Sequence, residues 1–235
     1  MISEWMQMQG WDVLFSEMTP AEPWEDEFNA WYDNEHIPLR MALEGFEGAQ
    51  RYKRNERDYL TVYDLSGSGA LETPQYRNLK NSPSALTKRM LDSVANFSRY
   101  VGKCIDATSR ENKSIGASVL YAVFFRVPKG DLAAFDGWYE RDHVPILMEC
   151  EEWLACRRFD LVSSHPNPHN RLALHYLSSE RALRSEARQR ARETEWRQQL
   201  SRNDWFKPVY MVFQKHGERF HAPASLSPLN ARASR

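Results

Sequence analysis

Two histidines stand in the same local setting, Trp31-Tyr32-Asp33-Asn34-Glu35-His36-Ile37-Pro38 and Trp138-Tyr139-Glu140-Arg141-Asp142-His143-Val144-Pro145. Imidazole changes charge near neutral pH, so either ring suits proton transfer as a general acid or base. An acid lies three residues before each histidine, Asp33 or Glu140, and another one residue before, Glu35 or Asp142. These carboxylates would orient the rings. With the exposed carbonyls of a helix C-terminus they would raise the imidazole pKa towards working pH. Tyr32 and Tyr139 precede the histidines by one turn and share their helical face, so they would line a pocket or support the ring. A purely structural reading competes with this one: a histidine before x-Pro caps its helix by bonding a carbonyl. Trp31 and Trp138 read as core anchors.

Other polar residues recur at matching places in the two halves. Arg51 and Arg158 sit on predicted strands, as do Tyr63 and His175. A strand face holding Tyr59, Thr61 and Tyr63 is polar enough to line a wet cavity, where an arginine would clamp a substrate carboxylate in bidentate fashion. Salt bridging at a sheet edge or seam explains the same residues, and the sequence leaves both readings open. His165 and His169 flank Pro-Asn-Pro, which excludes a helical metal pair, and no third ligand is evident, so no metal is expected. The arginine-rich run 181–202 is interleaved with glutamates and reads as a solvated helix face. No Gly-rich phosphate loop, nucleophile elbow or CxxC motif occurs.

The elements that must position these groups repeat as well. Windows 28–52 and 135–159 align without gaps at an offset of 143 − 36 = 107 and share Met41/Met148, Glu44/Glu151 and Arg51/Arg158. This reads as a duplicated unit. β-Branched and aromatic runs at 11–18 and 119–127 predict first strands. Apolar spacing of i, i+3, i+4, i+7 from Phe28 and from Phe135 predicts helices, and the prolines predict that both end at the histidine. Strands follow at 48–54 and 154–162, then at 59–65 and 171–177. Single helices are predicted over 72–93 and 179–202, and last strands over 97–105 and 207–214. The expected fold class is α+β: two tandem ferredoxin-like βαββαβ units forming an intrachain pseudo-dimeric barrel, with a cavity between their sheets. The expected domains are 1–112, 113–217, and a C-terminal tail or arm at 218–235.

Net charge of −1 over 235 residues argues against nucleic acid or an anionic membrane surface as partner. The longest apolar run is too short to cross a bilayer. No signal peptide is read at Met1-Ile2-Ser3, and three cysteines, an odd number, suit a reducing compartment. A cytoplasmic location is expected, and exposed sheet edges would allow a homodimer.

At the repeated Trp-Tyr…His-x-Pro segment the sequence resembles the EthD-like branch of the dimeric α+β-barrel superfamily. The signature there is Trp31, Tyr32, His36, Pro38 and Leu39, repeated as Trp138, Tyr139, His143, Pro145 and, one place later, Leu147. Members usually build the barrel from two chains. The resemblance implies a range of chemistries on one fold, among them cofactor-independent dehydratases, decarboxylases, isomerases and quinol monooxygenases, as well as haem-handling proteins. It carries only the histidine over, onto His36 and His143. The expectation is a cofactor-free lyase or isomerase using histidine acid/base catalysis on a small aromatic or cyclic metabolite. The alternatives are a cofactor-free monooxygenase on a quinol-like substrate, separated by oxygen consumption, and a non-catalytic haem or ligand-binding protein, separated by a histidine-dependent Soret band.

Overall fold

The structure is a computed structural model describing residues 11–110 and 117–223. The sequence's first ten residues, the expected boundary at 112 and most of the expected tail lie outside that range. In chain order the first half comprises β1 (Asp12–Pro20), α1 (Glu25–Trp31), a π turn (Tyr32–His36), α2 (Ile37–Met41), β2 (Phe46–Arg54), β3 (Asp58–Leu65), α3 (Pro74–Asn81), α4 (Ala85–Asp92) and β4 (Val94–Ser109). The second half follows with β5 (Val119–Phe125), α5 (Leu132–Trp138), a π turn (Tyr139–His143), α6 (Val144–Leu147), β6 (Trp153–His165), β7 (Arg171–Leu177), α7 (Glu186–Glu193), α8 (Glu195–Ser201) and β8 (Val209–His221). Each half therefore has the expected βαββαβ order. The fold is α+β, and its antiparallel strands form a closed barrel in the order β1-β3-β2-β8-β5-β7-β6-β4.

Two compact units arise, one from residues 11–103 with 216–223 and one from 104–215. The long strands β4 and β8 each contribute to both, β4 changing unit after Lys103 and β8 after Lys215. The expected boundary at residue 217 falls inside β8. In the first unit β1 pairs with β3 and β4, and β3 with β2, placing Leu14 opposite Tyr63. In the second, β5 pairs with β7 and β8, and β7 with β6, so His175 lies between Tyr121 and Cys156. Alternation along β5 sends Tyr121, Val123 and Phe125 to the helix side, where they join Phe135, Trp138 and Leu147 in one core.

Two expectations are corrected. The first helices do not end at the histidines: Ile37 and Val144 are both helical, and their N–H groups reach back five residues to the carbonyls of Tyr32 and Tyr139. Pro38 and Pro145 lack the N–H that a regular turn would use, and a proline ring would crowd the carbonyl four residues earlier. The widened turn relieves both problems and lets the helix continue. The single second helices are each broken in two. Ser84 accepts from the Thr87 N–H and Thr194 from the Arg197 N–H, so each restarts a helix where an uninterrupted one was predicted.

Candidate active site

In the second unit, between the helices and the helix-facing side of the sheet, lies a cleft with about 400 Å³ of empty space counting its open mouth. Its enclosed part is only about 30 Å³, far below the volume of a ligand pocket, so a bound molecule would sit mostly in the mouth. Tyr121 stacks on Tyr210 along one wall, with ring centroids 5.8 Å apart and planes 12° from parallel. Among the groups at the cleft that can handle protons are Tyr139 and His143 from the π turn and His175 from β7.

The hydrogen-bond chain fixes how their protons are placed. The Trp153 Nε1–H donates to His175 Nδ1 over 3.1 Å. An indole only donates, so Nδ1 carries a lone pair and the His175 proton resides on Nε2. That proton faces the Tyr139 hydroxyl at 3.5 Å. With its oxygen accepting, Tyr139 keeps its own O–H for a molecule in the cleft. Burial holds the His175 pKa well below the usual histidine range and the Tyr139 pKa well above the usual phenol range. His175 is thus a neutral orienting ring and Tyr139 a protonated donor.

His143 has the opposite arrangement. Its Nδ1 lies 3.3 Å from the Ala191 carbonyl, which accepts only, so the proton belongs on Nδ1. Nε2 keeps its lone pair and has no protein partner among the described residues. The ring packs on Trp138 at 4.6 Å and against Tyr139 at 5.1 Å. Burial pushes its pKa down to about 4; Arg197, Arg188 and Arg192 push the same way, while the bond to Ala191 opposes them. This corrects the expectation of a raised pKa, because packing under α7 and beside arginines outweighs the helix carbonyls and nearby acids. At neutral pH the ring is a base. Nε2 is also the nitrogen through which a metal or haem iron could be bound.

The first unit holds the matching residues differently. His36 is only 4% exposed, and its ring lies 4.3 Å from Trp31 and 4.6 Å from Tyr32. Its Nδ1 has no partner, and burial lowers its pKa well below the usual range. Phe46 stands where the second half has Trp153, and Tyr63 where it has His175 (172 − 60 = 112 aligns these strands). Tyr76, at the place of Arg188, stacks on Phe46 at 5.7 Å. Aromatic rings fill the space that a ligand would need. Burial also raises the Tyr32 and Tyr63 pKa values.

The remaining predicted residues are engaged within their own units. Arg51 donates to Asp33 at 2.8 Å and to Asn29 at 2.5 Å. Arg158 donates to Asp106 and to the Asp136 carbonyl, each at 3.1 Å. Glu35 accepts from Ser84 and Thr87, and Asp142 from Thr194, so these acids tie one helix to the next and do not touch an imidazole. Glu140 is exposed. Arg188, Arg192, Arg197, Tyr121 and Trp153 line the cleft and were not read from sequence as site residues. The i, i+4 spacing of Arg188 and Arg192 was visible, but it was masked by the surrounding run of alternating charge.

No family model and no curated protein matches the sequence. Solved structures match over nearly the whole chain. An anthrone oxidase-like protein is 12% identical with a TM-score of 0.65, covering 93% of this chain and 96% of that one. A candidate monooxygenase from Fusobacterium nucleatum is 9% identical with a TM-score of 0.59, covering 90% and 94%. A mutant chlorite dismutase from Candidatus Nitrospira defluvii, in complex with cyanide, is 6% identical with a TM-score of 0.59, covering 92% and 96%. At such identities the likeness is one of fold, and the fold class is that of the α+β barrels.

Proposed function

We propose that the chain is a cofactor-independent acid/base enzyme whose working site is the cleft of the second unit. The observation that carries this reading is the pairing of a neutral His143, its Nε2 without a partner, with a Tyr139 hydroxyl held protonated, in one aromatic cleft. His143 Nε2 takes a proton from an acidic carbon of a small aromatic or cyclic substrate. The electron pair left behind moves onto a substrate oxygen, which accepts from the Tyr139 O–H. The imidazolium then returns the proton to a different atom, completing an isomerisation, or to a departing hydroxyl that leaves as water, completing a dehydration. His36 has no part in this, because its ring is sealed among Trp31 and Tyr32. The test is proton exchange of candidate carbon acids in D₂O, followed by NMR. His143→Gln should abolish it and His36→Gln should leave it in the folded fraction; exchange that survives His143→Gln ends the proposal.

The fold shared with an anthrone oxidase-like protein and a candidate monooxygenase supports a second reading, in which the deprotonated substrate reacts with dioxygen. Oxygen uptake coupled to turnover separates it from lyase or isomerase chemistry. The repeated Trp-Tyr…His-x-Pro segment supports membership of the EthD-like branch by tandem duplication, with one copy retaining the site. The three cysteines, odd in number, support a cytoplasmic location.

A further inference from the structure

The second unit's cleft has a chemical bias that acid/base work alone does not require. Its lining includes Arg188, Arg192 and Arg197 and contains no carboxylate. Elsewhere in the described chain the buried Arg51 meets Asp33 and the buried Arg158 meets Asp106, while Arg157 donates to the Tyr176 hydroxyl. The cleft arginines also meet neutral groups. Arg188 donates to the Leu183 carbonyl at 2.8 Å and bonds Tyr121, and Arg197 donates to the Arg192 carbonyl at 3.0 Å. Three arginines line this wall, Glu193 being the carboxylate that shares their outer groove, and they leave a net positive potential at the cleft.

A second, independent observation lies deeper. Trp138 lines the same cleft, is 2% exposed, and its Nε1–H has no acceptor in the protein. In the first unit the matching Trp31 Nε1–H donates to Thr87 Oγ1 over 3.0 Å. Arg197 occupies the equivalent place on the second unit's last helix, so the indole has lost its acceptor and a cation has arrived. A buried donor left unpaired costs about 1–3 kcal/mol, and a ligand atom able to accept would recover it.

We infer that the molecule bound here is a planar aromatic anion, with a carboxylate or an equivalent oxyanion held by Arg188, Arg192 and Arg197 and accepting from Trp138 Nε1–H. The stacked Tyr121 and Tyr210 rings supply a flat wall for the aromatic part. The arginines and Trp138 are specificity residues in this scheme, distinct from the proton carrier. The inference rests on the acid/base reading for the location of the site and adds the substrate class.

The test titrates 2-naphthoate and the uncharged 2-naphthamide into the full chain, following tryptophan fluorescence with calorimetry as a check. Naphthoate should bind about tenfold or more tightly than the amide, the difference shrinking as salt rises. Arg192→Met, at an exposed position, and Arg188→Met should each cut naphthoate affinity about five- to tenfold and leave amide affinity unchanged. Trp138→Phe should weaken naphthoate selectively, its circular dichroism confirming the fold. Equal binding of the two ligands, no binding of either, or arginine variants that weaken both alike would overturn the inference. His143→Gln separates the two claims: it should keep the naphthoate preference while losing proton transfer. If the preference is absent yet His143→Gln still stops exchange, the substrate class is wrong and the acid/base reading stands.

Discussion

In the proposed mechanism His143 carries the pH dependence further towards acid than a solvent-exposed histidine would. With a folded pKa near 4, Nε2 stays deprotonated through the mildly acidic range, so the acid limb of kcat/KM should fall near pH 4 and not near 6.5. Stability follows from the same shift. The unfolded ring binds its proton more readily than the folded one, so the folded state loses stability as pH drops from about 6.5 towards 4 and loses no more from this group below that. The loss amounts to at most about 3 kcal/mol. Urea melts at pH 7.5 and 5, compared between wild type and His143→Gln, measure it as the difference in pH dependence. Trp153→Phe tests the orienting chain. It leaves His175 Nδ1 buried without a donor, should cost about 1–3 kcal/mol in a thermal or urea melt, and should lower kcat by letting Tyr139 donate to His175 in place of the substrate. The sequence motif offered two imidazole and phenol pairs, His36 with Tyr32 and His143 with Tyr139, and did not choose between them. It could not show the sign of the pKa shift, because the burying surface, the Ala191 carbonyl and Arg197 come from helices about fifty residues further along.

At the level of elements, the π turns explain how an aromatic pair, a histidine and a proline share one helix. The strands were legible because alternation and β-branched content mark them locally: β7 matches its predicted span of 171–177, and β2 and β3 differ only at their starts. The helices were less so. The rule that a residue before proline leaves the helical region fails at Ile37 and Val144, since a wider turn satisfies the same steric demand. Pro145→Ala restores an N–H and removes the reason for the wide turn. It should change stability by only about 0.4–1 kcal/mol, through the unfolded chain, yet lower kcat by rotating Tyr139 and His143 relative to the cleft. A thermal melt beside steady-state kinetics distinguishes the two effects. Thr194→Ala should cost about 1 kcal/mol in a urea melt, because it removes the α8 cap and the hydroxyl that donates to Asp142 at 2.9 Å.

At the level of the whole molecule, the first compact unit is not a continuous stretch of chain. The first includes residues 216–223, which supply Arg219 to the buried Asp64 at 2.7 Å. Gly48 makes room for that guanidinium, since a Cβ there would collide with it. A fragment of residues 1–112 lacks this arginine, and removing one partner of a buried ion pair costs about 3–5 kcal/mol. The fragment should therefore remain largely unfolded by circular dichroism, and adding a peptide spanning 209–223 should recover structure. Periodicity read along the chain assigns neighbours in order, so a strand arriving from the far end was not visible to it.

That discontinuity reaches back to the moment of synthesis. The N-terminal unit emerges from the ribosome first, but its closing strand is translated roughly 110 residues later, about 5–20 s at ordinary elongation rates. Through that interval β2 waits with one side bare and Asp64 without Arg219, so the nascent chain is exposed to chaperones and to aggregation until residues 216–223 are made.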